Sequence, residues 1–194
     1  MLVEERNNLY PIFLKAHQLE MLIVGGGKVG LEKLSFLLKS SPLANVQLVA
    51  PEINKEILEL AKGHQVKLVK ESFDNTFLKN KHLVIVATDN EAKNIEIYNE
   101  CKGRNLLVNL ADNPRYCDFY LGGIVTKGNV KVAISTNGKS PTTAKRLRQF
   151  FEEVIPENID DLVKNLNTYR KSIKGNFEEK VSTLNELTKS LVKK

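Results

Sequence analysis

The chain has 194 residues, of which 42% are hydrophobic and 27% are charged, and its formal net charge is +6. This composition is ordinary for a globular protein with a proper core, and the length suits one large domain or one domain with a smaller appendage. No apolar run reaches the length of a membrane span. The first residues carry acidic side chains where a signal peptide carries basic ones. Together with two isolated cysteines, this predicts a cytoplasmic protein with no membrane partner.

The positive charge is placed unevenly along the chain. Residues 1–113 hold 14 basic and 14 acidic side chains, residues 114–155 hold 7 and 3, and residues 156–194 hold 8 and 6. A basic region attracts polyanions, but the segment has no dense Lys/Arg run of the kind that nucleic-acid binding favours. We therefore expect a polyanionic small molecule as partner and no nucleic acid.

The chain begins with a short apolar run, Tyr10–Leu14, whose proline predicts an edge strand or the start of a strand. A second run, Leu19–Val24, predicts a buried strand. It leads into Gly25-x-Gly27-x-x-Gly30 and then into leucines at helical spacing. A strand, a glycine turn and a helix in this order form the dinucleotide fingerprint, in which backbone N–H groups approach a pyrophosphate. The alternative is a glycine turn without a ligand.

Further apolar runs predict a parallel sheet. Strands are expected at Val46–Ala50, Val66–Val69, Leu83–Ala87 and Leu106–Val108, with helical patterns between them. Alternating strands and helices are typical of a doubly wound α/β fold.

Polar residues follow three of these strands, at the edge where open α/β sheets bind ligands. Glu52 either accepts the ribose 2′-hydroxyl of NAD or lies in the first turn of the helix after it. Thr88, Asp89 and Asn90 face a ligand, cap the next helix, or do both. Asp112 is either a general base or an Asx-turn residue before a proline.

The pattern changes after Pro114. Two apolar runs around Lys127-Gly128-Asn129 predict a β-hairpin, which has little core of its own and should pair with something else, such as another subunit. A helix opening at Pro141 has a hydroxyl-rich start that is either an anion site or an ordinary cap. Two amphipathic helices are predicted in the tail. The three histidines are scattered, so no metal site is expected.

Six motifs occur in order between about residue 9 and residue 155. They are Pro11-Ile12-Phe13, Leu22-Ile23-Val24-Gly25-Gly26-Gly27-x-Val29, Phe73-Asp74-x-x-x-Leu78, Ala87-Thr88-Asp89, Asn109-x-x-Asp112-x-Pro114 and Ser135-x-x-Gly138-x-Ser140-Pro141. The ordered set resembles the precorrin-2 dehydrogenase/sirohydrochlorin ferrochelatase family, the N-terminal type of sirohaem synthase.

The resemblance implies a Rossmann-type NAD-binding domain over residues 1–113, a dimerisation region over 114–155 and a small helical domain over 156–194. The family's members are homodimers that oxidise the tetrapyrrole precorrin-2 to sirohydrochlorin with NAD⁺. Many also insert Fe²⁺, as a substrate rather than a bound cofactor, to give sirohaem. Precorrin-2 carries many carboxylates, which suits the basic region.

The resemblance also implies site residues. The family's essential aspartate matches Asp112, and its nucleotide contacts match Lys28, Val29, Glu52 and Ile53. With the glycines and the edge residues, the expected cofactor-binding set is Gly25, Gly27, Lys28, Val29, Gly30, Glu52, Ile53, Thr88 and Asp89. By position and charge, the candidates for the substrate carboxylates are Arg115, Lys139, Ser140 and Arg146.

Two other functions fit the same features. One is a regulatory module that senses NAD without turning anything over, and it would have no need of Asp112. The other is a chelatase without dehydrogenase activity, which would not need to bind NAD.

Overall fold

The computed structural model describes residues 6–189, which form two compact units that divide after Leu121. The first unit is built on a five-stranded, fully parallel sheet with strand order β3-β2-β1-β4-β5. Its strands are β1 Met21–Val24, β2 Val46–Val49, β3 Val66–Val69, β4 Leu83–Val86 and β5 Leu107–Leu110. Its α-helices are α1 Lys28–Ser40, α2 Lys55–Ala61 and α3 Glu91–Gly103, and it has short 3-10 helices at Ala16–Gln18, Asn75–Leu78 and Pro114–Tyr116.

Both faces of the sheet are covered, because alternate side chains of each strand enter two different apolar clusters. On one face Ile23 and Ile85 pack in a cluster with Leu34 of α1 and Ile57 of α2, and these residues are almost fully buried. On the other face Val24, Val84 and their neighbours pack in a cluster that includes Ile97 and Cys101 of α3. Burying each such aliphatic side chain stabilises the fold by about 1.5–3 kcal/mol.

The predicted Rossmann-type sheet is confirmed, and its strands begin and end within two residues of the apolar runs. The predicted strand at Tyr10–Leu14 is wrong. Residues 6–15 have no regular structure, and the Tyr10 and Phe13 side chains are 86% and 68% exposed. The apolar pattern there does not mark a strand of the sheet, because all five parallel strands come from runs further along the chain.

The second unit begins with the predicted hairpin. Strands β6 Gly123–Lys127 and β7 Val130–Ile134 pair in an antiparallel register that joins Lys127 to Val130 and leaves Gly128 and Asn129 as the turn. Three helices follow: α4 Pro141–Val154, α5 Ile159–Ser172 and α6 Phe177–Thr188. The hairpin and the two tail helices are therefore confirmed, whereas the division of this part into a dimerisation region and a helical domain stays a prediction.

The second unit buries little apolar surface within one chain. Among its described residues only Val125 is buried, at 2% exposure. Large apolar side chains on all three helices are exposed, including Phe150 at 54%, Val154 at 57% and Phe177 at 68%. An apolar surface of this kind usually marks a contact with another molecule.

Helix α5 is joined to the hairpin turn through Asp160. Its Oδ1 accepts hydrogen bonds from the backbone N–H and the side-chain amide of Asn129, both at 2.7 Å, and its Oδ2 lies 2.6 Å from Nζ of Lys164. A hydrogen bond from Lys164 and those from Asn129 lower the pKa of the Asp160 carboxyl to about 2.

The Asp160 contact predicts an acid-sensitive hairpin turn. A carboxyl group whose pKa is lowered on folding stabilises the fold above its unfolded pKa of about 3.9, and this contribution is lost as the pH falls towards 2. Hydrogen exchange of the Asn129 amide should therefore accelerate relative to the rest of the unit between those pH values. Asp160→Asn should show faster exchange at neutral pH, and it should lose most of this acid dependence.

Asp161→Asn is the matched control, since Asp161 occupies the same first turn of α5. It should leave the exchange of the Asn129 amide unchanged. Equal effects of the two substitutions would show that the charge of the helix start, rather than the bond to the turn, governs this region.

Candidate functional site

A cleft of about 820 Å³ opens at the carboxyl ends of the parallel strands. It lies where the strand order reverses between β1 and β4, which is the position at which open α/β sheets bind ligands. The segments after β1, β2 and β4 supply most of its wall. The lining residues are Val24–Val29, Val49–Glu52, Ser72, Phe73, Ala87–Asn90, Lys93 and Ile97.

The glycine turn after β1 gives the cleft its shape. Gly25 has φ +121°, and a Cβ atom there would lie 2.3 Å from the carbonyl oxygen of Ala87 at the end of β4. Gly30 is buried, and a Cβ atom at this position would lie 2.1 Å from the Gly25 carbonyl oxygen. These two glycines bring the start of α1 close against the ends of β1 and β4. Any larger residue at either position would collide with backbone.

Gly27 differs from these two glycines because it faces open space. No atom lies within 4 Å of a Cβ built on it, and Gly27 lines the cleft. It is also the residue before α1, so no side-chain cap bonds the first N–H groups of that helix. A helix start with free N–H groups beside an open glycine suits the pyrophosphate of a dinucleotide.

Seven of the nine predicted cofactor-binding residues line the cleft. They are Gly25, Gly27, Lys28, Val29, Glu52, Thr88 and Asp89. The other two do not line the cleft. Gly30 packs against the Gly25 carbonyl, and Ile53 packs against the apolar core.

Glu52 does not cap helix α2. The N-cap of that helix is Asn54, whose side chain accepts a hydrogen bond from the Glu56 N–H at 2.9 Å. Glu52 lies two residues earlier, and its side chain is exposed at the cleft. The carboxylate is therefore not engaged in capping.

Thr88 and Asp89 precede the cap of the next helix. Asn90 is the N-cap of α3, and its side chain accepts a hydrogen bond from the Lys93 N–H at 3.0 Å. The Thr88 hydroxyl bonds the buried side chain of Asn94, which in turn donates to the Thr88 carbonyl at 3.0 Å. The Thr88 hydroxyl is therefore engaged in a hydrogen bond within the protein, whereas the Asp89 side chain is exposed at the cleft.

Two lining side chains were given no role in the sequence analysis. Phe73 follows β3, and Lys93 lies in the first turn of α3 with its Nζ 6.0 Å from the centre of the Phe73 ring. Lys93 also pairs with Glu96 at 2.9 Å. The sequence signal for Phe73 is its position after the end of a parallel strand, within the motif Phe73-Asp74-x-x-x-Leu78.

Asp112 lies at the same edge of the sheet, two residues beyond the end of β5. Strands β4 and β5 pair side by side, and the N–H of Ala111 donates to the Val86 carbonyl at 2.9 Å. The Asp112 side chain is exposed, and its φ of +62° places the backbone in the left-handed region. Asp112 does not line the cleft itself, but it follows the strand next to β4, whose end does.

The four predicted substrate residues lie in both units. Arg115 belongs to the exposed 3-10 helix after Asp112, whereas Lys139, Ser140 and Arg146 belong to the second unit. Ser140 is the N-cap of α4, and its Oγ accepts a hydrogen bond from the Thr143 N–H at 3.2 Å. Ser140 therefore acts as an ordinary N-cap of α4. The roles of all four residues towards a substrate stay predictions.

Two kinds of feature are absent from the described residues. Between residues 6 and 189, no group of three or more His, Cys, Asp and Glu side chains is arranged to hold a metal ion. Over the same range, no helix combines the length and the apolar character that crossing a bilayer requires.

Residues 12–123 match the family described as putative NAD(P)-binding, and residues 127–153 match the central part of sirohaem biosynthesis proteins. A sirohaem synthase of Pseudoalteromonas translucida is 38% identical over 168 residues, which are 87% of this chain and 35% of that protein. A sirohaem synthase of Psychrobacter arcticus is 35% identical over 177 residues, or 91% of this chain and 31% of that protein. The chain thus spans about a third of the length of these relatives.

Among solved structures, SirC, a precorrin-2 dehydrogenase, is similar with a TM-score of 0.72 and 25% sequence identity. The likeness covers 92% of this chain and 89% of that one. These matches confirm the resemblance that the six motifs indicated. The chain belongs to the putative NAD(P)-binding family, and the segment that follows its NAD(P)-binding match resembles the central part of sirohaem biosynthesis proteins.

Proposed function

We propose that the chain is a cytoplasmic, NAD-dependent dehydrogenase that oxidises precorrin-2 to sirohydrochlorin in sirohaem biosynthesis. The observation that carries this proposal is the placement of a dinucleotide-sized cleft and of Asp112 at the ends of the neighbouring strands β4 and β5. The likeness of nearly the whole chain to a precorrin-2 dehydrogenase supports it.

The cofactor is NAD rather than NADP in this proposal, because of Glu52. Its carboxylate is exposed at the cleft beyond the end of β2, where an acidic side chain accepts hydrogen bonds from the adenosine ribose and repels a 2′-phosphate. The pyrophosphate would lie against Gly27 and the N–H groups of Lys28 and Val29 at the start of α1. The nicotinamide would then point away from Glu52, towards β4 and β5.

Asp112 is the proposed general base. NAD⁺, when bound, supplies the acceptor for the hydride that leaves the macrocycle. The oxidation also releases a proton, and the exposed carboxylate of Asp112 can take it without first breaking a structural contact.

The proposed assembly is a homodimer. The second unit leaves its apolar helix faces exposed and has one buried residue among those described. A second copy of the chain would bury these apolar faces in the interface. The basic excess of residues 114–155 supports binding of the substrate's carboxylates, with Arg115, Lys139, Ser140 and Arg146 as the proposed contacts.

Insertion of Fe²⁺ into sirohydrochlorin is the second activity proposed, and it rests on the resemblance. Fe²⁺ is a substrate in this step. The pyrrole protons displaced by the metal would pass to the same carboxylate, Asp112, since it is exposed at the sheet edge.

Gly27→Val tests the cofactor site. The added side chain would fill open space in the cleft, so NAD⁺ binding should weaken by about tenfold or more, which corresponds to at least about 1.4 kcal/mol. The melting temperature should stay close to that of the wild type. Binding is measured by calorimetric titration with NAD⁺, and stability by thermal unfolding.

Gly25→Ala provides the contrast within the same turn. Its Cβ would meet the Ala87 carbonyl and its φ suits glycine, so the fold should lose about 1–3 kcal/mol of stability. If Gly27→Val bound NAD⁺ with wild-type affinity, the cleft would not be the cofactor site.

Asp112→Asn tests the base. Asparagine is the other side chain that tolerates the left-handed backbone, so the substitution removes the charge while keeping the turn. Incubation with precorrin-2 and NAD⁺ should show sirohydrochlorin forming at least about a hundredfold more slowly than in the wild type, with NAD⁺ affinity unchanged. Addition of Fe²⁺ afterwards measures the insertion step separately.

The charge-matched control is Asp161→Asn, which removes an exposed carboxylate from α5. It should retain the wild-type rate. Full turnover by Asp112→Asn would rule out this residue as the base. A wild type that binds NAD⁺ but leaves precorrin-2 unchanged would favour the regulatory module.

A further inference from the structure

The segment that bears Asp112 forms a closed loop from Leu110 to Cys117. Asn109 and Cys117 are joined by an isolated antiparallel bridge at the neck of this loop. Just beyond the bridge, the Asp118 N–H donates to the Val108 carbonyl at 2.8 Å, and the Asp118 carboxylate accepts from the Val108 N–H at 3.0 Å. The ends of the loop are therefore held together at the last residues of β5, as in compact loops whose ends lie close.

Asp112 has a backbone conformation that needs such support. The Asn113 N–H donates to the Leu110 carbonyl at 3.2 Å, so residues 110–113 form a tight turn with Asp112 at its third position. Its φ of +62° is a value that turns of this kind usually assign to glycine or asparagine. A residue with a side chain remains in this region only when its surroundings hold it there.

Two side chains at the neck link the strand to this turn. The Sγ atom of Cys117 lies 3.3 Å from the carbonyl oxygens of both Leu110 and Asn113, which are the first and last residues of the turn. The buried side-chain amide of Asn109 donates to this sulfur at 3.4 Å and to the Phe119 carbonyl at 2.7 Å. One chain of hydrogen bonds thus runs from the strand to both ends of the turn.

We propose that Asn109 and Cys117 are positioning residues, which hold the Asp112 turn in its left-handed form and so fix the carboxylate at the edge of the sheet. This inference rests on the proposed function, because it gives the turn a role in turnover. Neither side chain touches the substrate in this account. They act through the backbone of residues 110–113.

The state of the thiol agrees with this role. Burial raises the pKa of Cys117 above its ordinary value, so the group stays protonated through the neutral range. A protonated thiol can donate to a carbonyl oxygen, whereas a thiolate would repel the two carbonyl groups. The other cysteine, Cys101, is a fully buried core residue of α3 and does not belong to this set of contacts.

Three variants test the positioning role. Cys117→Ala removes the donor to the turn, Cys117→Ser restores a donor, and Asn109→Leu keeps a similar volume without either N–H. Cys101→Ala is the matched control, since it truncates a buried cysteine elsewhere in the same unit. For each variant, kcat and KM for precorrin-2, NAD⁺ affinity and melting temperature are measured, together with hydrogen exchange of the Asn113 amide.

Cys117→Ala and Asn109→Leu should lower kcat by about tenfold to a hundredfold, because a small misplacement of a reacting group has effects of this size. NAD⁺ affinity and KM should change by less than about twofold, and the Asn113 amide should exchange faster. Cys117→Ser should recover most of kcat. Cys101→Ala should lower the melting temperature, with kcat and the Asn113 exchange unchanged.

A wild-type kcat in Cys117→Ala would overturn the inference, and so would a fall in kcat that Cys101→Ala reproduces at equal loss of stability. Failure of the proposed function has a different signature, since the wild type itself would then not oxidise precorrin-2. If Asn109→Leu does not fold, the comparison of Cys117→Ala with Cys117→Ser still tests the inference.

Discussion

The close contact between the Gly25 turn and the end of β4 is the constraint on which the site depends. There is no room for a side chain between Gly25 and the Ala87 carbonyl, or between Gly30 and the Gly25 carbonyl. The start of α1 is consequently held against two strand ends at once. The cleft opens at this point, and the N–H groups that begin α1 face an open glycine rather than a capping side chain. The packing that fixes the helix therefore also leaves its start open to the cleft, as the proposed pyrophosphate position requires.

Asp112 shares this sheet edge for a topological reason. In a parallel sheet every strand ends at the same edge, so β5 delivers its following residues beside those of β4. The loop after β5 is short, closed at its neck and bonded to the strand through the buried side-chain amide of Asn109. The result is a carboxylate on a closed loop next to a cofactor-sized cleft, an arrangement that suits the transfer of a hydride with loss of a proton.

The sequence predicted the sheet and the glycine turn well because both depend on local patterns. Fully apolar runs mark strands buried on both faces, and the glycine spacing follows from backbone contacts that only glycine allows. The run at Tyr10–Leu14 has a similar composition, but pairing in the sheet depends on tertiary contacts that composition does not report. The second unit was predicted as a hairpin with little core of its own followed by helices, and among its described residues only Val125 is buried.

The candidate site was predicted only in part, because local sequence patterns identify only some of its residues. Residues adjacent to the glycine turn and to the strand ends were identified. Phe73 was noted only as part of a motif, and Lys93 reaches the cleft from a helix segment that carries no local signal of its own. The sequence also left open whether Glu52 caps a helix, and the cap at Asn54 removes that alternative. The left-handed backbone of Asp112 and its support by Asn109 and Cys117 depend on contacts across the neck of a loop.

The most direct test of the account is the orientation of bound NAD⁺, determined by crystallography of the complex. The account predicts the adenosine ribose within hydrogen-bonding distance of Glu52, the pyrophosphate against Gly27, and the nicotinamide on the side of the cleft that leads to Asp112. A dinucleotide bound with its nicotinamide beside Glu52, or bound outside this cleft, would contradict the account.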